Sequence, residues 1–146
     1  MNPTSLRAGI AALMIAHGLV HLSLTLVPVP TPGSQHTPFW PAWWREAIDP
    51  TWLISKLGLP PGWVRLLGSA LWVSALTGFV LAGLGLLGVP SLNGVWQILA
   101  VVAAVLSLIL LVFYWHPWLV IAVLLNLAFL AAIWAHWPPA LFSAVP

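Results

Sequence analysis

The chain has 146 residues, 62% hydrophobic and 4% charged, with four Lys and Arg against two Asp and Glu and no cysteine. Soluble proteins average about 25% charged residues, so water cannot be the solvent for most of this surface. Four basic residues cannot build a nucleic-acid footprint, and the lack of thiols excludes disulfides, thiolate catalysis, iron–sulfur clusters and zinc ribbons.

The charge distribution says more than the total. The 81 residues from Leu66 to Pro146 contain no Asp, Glu, Lys or Arg, whereas Arg45, Glu46, Asp49, Lys56 and Arg65 share one 21-residue window. Such a chain is expected to be a single integral membrane domain, residues 1–146, with lipid as its solvent.

The first element is an apolar stretch, Leu6–Val27, ended by Pro28, Pro30 and Pro32. It is longer than the roughly 7–15 residues of a signal-peptide core and has no clear small-x-small cleavage site, so it reads as a retained membrane span. The link 28–62 opens with alternating prolines that favour an extended chain. Within it, Trp40, Trp43, Trp44, Ala47 and Ile48 fall on one helical face, and Arg45, Glu46 and Asp49 on the other. That pattern predicts a short amphipathic helix lying in the headgroup region. Asp49-Pro50 reads as the cap and first residue of a second short helix, Thr51–Leu57, closed by Gly58.

Three more stretches have the length and apolarity of spans, which need about 20 residues. They are Trp63–Leu87, entered through Pro60-Pro61; Val95–Phe113; and Trp118–Trp134, reaching to Trp137 before Pro138-Pro139. The expected fold is all-α: a transmembrane antiparallel four-helix bundle with an interfacial amphipathic helical loop between helices 1 and 2. Small residues four apart, Ala8-Ala12-Ala16 and Ala70-Ser74-Gly78-Ala82, are the expected packing ridges.

Tryptophans cluster at membrane interfaces. Trp40, Trp43, Trp44, Trp52, Trp63, Trp115 and Trp118 are expected at the face that carries the link; Trp96, Trp134 and Trp137 are expected at the face that carries both termini. Lys and Arg number three on the link face and one on the other, so the positive-inside rule places the link in the cytoplasm and the termini outside.

The strongest polar feature is Ala16-His17-Gly18-Leu19-Val20-His21, two histidines four apart on one face of the first span. At ~1.5 Å of rise per residue, His21 lies roughly 10 Å and His17 roughly 16 Å from the link face. The same ruler puts Asn126 at roughly 13 Å, Ser107 at roughly 10 Å, and Ser69 and Ser74 at roughly 9 and 16 Å. Trp72 falls in that layer too. Three readings fit: a neutral hydrogen-bond layer that fixes helix register; binding of a haem or chlorin pigment at His17, His21 and Asn126; or a polar pocket for a quinone or a proton relay. Two imidazoles on one helix are too few for a metal site, so none is assigned. Phe113-Tyr114-Trp115-His116-Pro117-Trp118 is an aromatic anchoring turn, where His116 could cap a surface site; His36 and His136 are expected at the surface. The only carboxylates, Glu46 and Asp49, are not placed to serve a nucleophile, and hydrolysis or phosphoryl transfer is not expected.

"AHGLVHL" at 16–22, "VRLLG" at 64–68 and "FYWHPWLV" at 113–120, with the Trp-containing link, resemble an uncharacterised group of small bacterial four-span membrane proteins. The resemblance implies a multi-pass protein of the bacterial inner membrane and carries no activity. By topology alone the chain also resembles DoxX-type four-helix proteins, and no site residue follows from that. The expected function is non-enzymatic: an accessory or scaffold subunit of a membrane complex, meeting the lipid bilayer and other subunits or copies of itself. A haem-, pigment- or quinone-binding redox subunit is the alternative, and an oligomeric carrier or channel the third reading.

Overall fold

A computed structural model describes residues 2–25, 51–115 and 119–142, with the side chains of 22–25 excepted. Among them all regular structure is helical: α1 (Pro3–Thr25), α2 (Trp52–Ser55), α3 (Pro61–Leu86), α4 (Pro90–Asn93), α5 (Trp96–Phe113) and α6 (Val120–Trp134), followed by a 3₁₀ turn, Pro139–Leu141. The predicted amphipathic helix over 40–49 lies outside the described residues, as do Trp40, Trp43, Trp44, Trp118, His36 and His116.

Local chemistry sets the helix ends. Asn2 caps α1, its Oδ1 accepting from the Thr4 amide at 3.0 Å while Pro3 takes the first helical position, where no N–H is needed. The cap of α2 is Thr51, whose hydroxyl oxygen accepts from the Leu53 amide at 3.0 Å. Gly58 at φ +65° then turns the chain, as expected of it. α3 starts at Pro61 and ends through Gly88, φ +94°, with the Val89 amide reaching back to the Leu84 carbonyl at 3.2 Å. α6 stops at Trp134 rather than Trp137. Its end is closed by His136 at φ +49° and a bond from the Trp137 amide to the Ala132 carbonyl at 2.9 Å.

Neighbouring long helices run antiparallel. On α1 and α3, Gly18 lies against Phe79 and Gly83 against Ala11 and Ile15. On α3 and α5, Gly68 meets Tyr114, Gly78 meets Ala103, and Gly85 meets Trp96. α5 and α6 meet at Ser107 and Asn126, and α6 reaches α1 through Asn126 and His17. The core holds Ala11, Met14, Phe79, Ala82, Leu86, Trp96, Ala100, Ala103, Ala104 and Phe129. Its fully buried alanines let backbones approach closely, the kind of packing that associates helices where burial of apolar surface gives no advantage.

The packing faces differ from the predicted ridges. Ala8, Ala12 and Ala16 are exposed, and α1 packs instead through Ala11, Met14, His17, Gly18 and His21. Ala70 and Ser74 are exposed as well, and only Gly78 and Ala82 of that ridge face a neighbour. These helices are apolar all round, so small residues mark where close approach is allowed without saying which side takes it.

Three helices are long and apolar enough to cross a membrane: Pro3–His21 within α1, all of α3, and all of α5. α6 is apolar but has only 15 residues.

Candidate functional site: a buried histidine–asparagine–serine ring

The polar side chains of α1, α5 and α6 converge. His17 Nε2 lies 3.1 Å from Asn126 Oδ1. Asn126 Nδ2 donates to Ser107 Oγ at 2.8 Å. Ser107 Oγ lies 2.9 Å from His21 Nε2, and His21 Nδ1 lies 3.0 Å from the His17 carbonyl oxygen. The contacts form a closed circuit through three helices. Ser107 and Asn126 are fully buried, and His21 and His17 are 2% and 6% exposed.

Helical spacing builds the circuit from α1's side. Residues four apart share a face, so the His21 ring folds back over the turn that ends in the His17 carbonyl, and both rings look the same way. Aromatic rings close the site. Phe79 of α3 meets His17 edge-on at a centroid distance of 4.8 Å and packs on Phe129 of α6 at 5.6 Å. His17 and His21 are themselves edge-to-face at 5.2 Å. Thus α3 supplies an apolar wall where the other three helices supply polar groups.

The sequence-predicted layer is met in part. His17, His21, Asn126 and Ser107 do come together, across chain separations of up to 109 residues. Ser69 and Ser74 do not join them: Ser69 is half-buried and Ser74 exposed. Ser74 is level with Ser107, since Gly78 faces Ala103 on the antiparallel α5, but it points away from the neighbouring helices; Ser69 lies beyond the layer, near the level of Tyr114. α3, at 26 residues, spans about 39 Å against about 27 Å for the 18 residues of α5, so its first turns project past the other helices.

Trp72 also stands apart. It belongs to a second cluster with Leu53, Val64, Leu110 and Tyr114. Its ring lies 4.8 Å from that of Tyr114, and its indole N–H has no hydrogen-bond partner. Tyr114 donates its hydroxyl to the Val64 carbonyl. This tyrosine–carbonyl link and the Phe79–Phe129 wall were missed from sequence. The available signal was aromatic residues recurring among small ones, as in Ala75-x-x-x-Phe79-x-x-Ala82.

The tryptophans divide. Trp63, Trp115, Trp134 and Trp137 are exposed. Trp52 is half-buried, packing on Phe113 and donating its indole N–H to the Val112 carbonyl at 2.6 Å. Trp96 is a core residue instead of an outer anchor, because Gly85 leaves room for it at the start of α5.

No protein-family model, curated protein or solved structure matches this chain.

The donor set bears directly on ligand chemistry. Axial ligation of a haem or chlorin would need an imidazole nitrogen with a free lone pair facing an open space. Both Nε2 atoms face protein groups inside the ring, and His21 Nδ1 faces a carbonyl. Binding at His21 would require dismantling the circuit. Among the described residues there is no group of three or more His, Cys, Asp or Glu side chains that could hold a metal.

Proposed function

We propose that the chain is a multi-pass integral membrane protein in which α1, α3, α5 and α6 all cross the bilayer, and that it serves as a non-enzymatic accessory or scaffold subunit of a larger membrane complex. The observation that carries this reading is the closed His17–Asn126–Ser107–His21 circuit. Its polar groups bond one another and so define which helix faces which, in place of presenting themselves to a substrate. Interhelical hydrogen bonds of this kind contribute on average only about 0.6 kcal/mol each, so their use is specificity of arrangement more than strength.

Two further observations agree. From Leu66 onward the chain has no formal charge with which to bind or move an ion. The exposed tryptophans flank apolar helices, where amphipathic rings sit at headgroup level. Under this reading the protein resides in the cell membrane, with the link between α1 and α3 on the cytoplasmic side and both termini outside.

The test is purification in mild detergent from membranes expressing the chain at native level, read by size and by visible spectrum. A colourless species larger than the monomer, of fixed composition, is the expected result. A haem, chlorin or quinone co-purifying in stoichiometric amount would replace the scaffold reading with the redox one, and a clean monomer would remove it.

A further inference from the structure

We infer that the two core histidines are locked in opposite tautomers, His17 carrying its proton on Nε2 and His21 on Nδ1, and that Nδ1 of His17 is the one ring nitrogen of the core able to take up a proton while all four bonds of the circuit keep their sense. The assignment follows from donor and acceptor counting around the circuit. A carbonyl oxygen only accepts, so the 3.0 Å contact of His21 Nδ1 with the His17 carbonyl requires N–H at Nδ1. A neutral His21 therefore presents a lone pair at Nε2, and Ser107 must donate its hydroxyl proton there across 2.9 Å. The serine oxygen remains free to accept, and Asn126 Nδ2 donates to it at 2.8 Å. That orientation of the amide turns Oδ1 toward His17, 3.1 Å away, so His17 Nε2 must be the donor. All four bonds then run in one sense around the ring.

The reverse sense fails. With the Asn126 amide turned over, Oδ1 would face Ser107 and claim its only proton. His21 Nε2 would then need a proton of its own, and His21 would be a cation. Among the described residues no anion is available to balance it. α3, α5 and α6 present no carboxylate, since the chain has none after Asp49. The titratable side chains on those helices or their connections are Arg65, Tyr114, His116 and His136. Arg65 lies in the first turns of α3, far from Phe79; Tyr114 bonds the Val64 carbonyl; His136 is exposed beyond the end of α6; and His116 lies outside the described residues. On α1 itself the nearest formal charge is Arg7, ten residues from His17, about 15 Å along the axis.

A proton added to the neutral ring has two places to go. At His21 Nε2 it would displace the Ser107 hydroxyl proton from its acceptor. At His17 Nδ1 it meets none of the four bonds, and among the described residues no hydrogen bond reaches that atom. His17 is thus the proton-binding position and Asn126 a positioning residue that holds its tautomer.

Nitrogen-15 NMR of the full-length protein with labelled histidine, in micelles, reads this directly. The expected spectrum at neutral pH has His17 with protonated Nε2 and bare Nδ1, and His21 with protonated Nδ1 and bare Nε2. On acidification His17 Nδ1 should gain its proton while His21 keeps its tautomer. Asn126→Leu should release His17 into a mixture of tautomers, and Ser107→Ala should leave His21 protonated at Nδ1, since the carbonyl still accepts. A His21 protonated at Nε2 at neutral pH, or a His21 that takes up the first proton, overturns the inference. The wild-type spectrum alone decides it if either variant fails to fold.

Discussion

Inside a bilayer a broken hydrogen bond cannot be replaced by water, so the residue-level prediction turns on what a deletion leaves behind. Asn126→Leu removes one amide and strands both His17 Nε2–H and a Ser107 acceptor in a fully buried site. An unsatisfied buried group costs about 1–3 kcal/mol, more than the bond itself contributes, so this variant should unfold measurably earlier in detergent titration. A wild-type midpoint would mean the ring does not support the fold. The opposite sign is expected at His136. This residue holds φ +49° at the end of α6, a conformation in which a β-carbon is disfavoured. His136→Gly relieves that strain and should raise stability by about 0.5–1 kcal/mol, read in the same assay.

At the scale of the element, the helices pack where their glycines allow. A β-carbon on Gly78 would sit 2.8 Å from that of Ala103, and one on Gly83 would sit 2.6 Å from Ile15 Cγ1. Gly78→Leu and Gly83→Leu should therefore each cost about 1–3 kcal/mol by overpacking, whereas Ala12→Leu on the exposed face of α1 should stay within about 0.5 kcal/mol of wild type. Equal effects at all three positions would contradict the placement of these faces. The long helices were legible, and so were the limits of α3, which Pro61 opens and Gly88 closes; α1 starts at Pro3, ahead of the expected Leu6. Facing was not legible. The Ala8-Ala12-Ala16 stripe has the same spacing as a packing ridge yet points outward, since a four-residue repeat recurs on several sides of an apolar helix. The polar ring lies between these cases. His17, His21, Ser107 and Asn126 could be matched by depth, but Ser74, which is level with Ser107, could not be excluded until its outward facing was known.

For the whole molecule, the proposed four-span topology can be mapped without altering the background, because the chain contains no cysteine. Single cysteines at Thr4, Leu59 and Ala140 should react with an impermeant thiol reagent from one side only in the case of Thr4 and Ala140, and from the opposite side in the case of Leu59. Labelling of all three from one side would sink the proposed arrangement.

The brevity of α6 has a consequence for the surrounding lipid. Fifteen helical residues span about 22 Å, some 8 Å less than a typical hydrocarbon core of about 30 Å. Trp134 ends the helix and is exposed, so under the proposed topology its indole would pin one end of a short rod to the interface. The neighbouring α3 is long enough to overshoot the same bilayer. A membrane around this protein would be pulled thin on the α6 side and left at full depth on the α3 side, giving a lopsided lipid collar. Reconstituted in bilayers of graded acyl length, the protein should be most stable in the shorter chains; an optimum in long-chain lipid would show that residues beyond α6 complete the crossing.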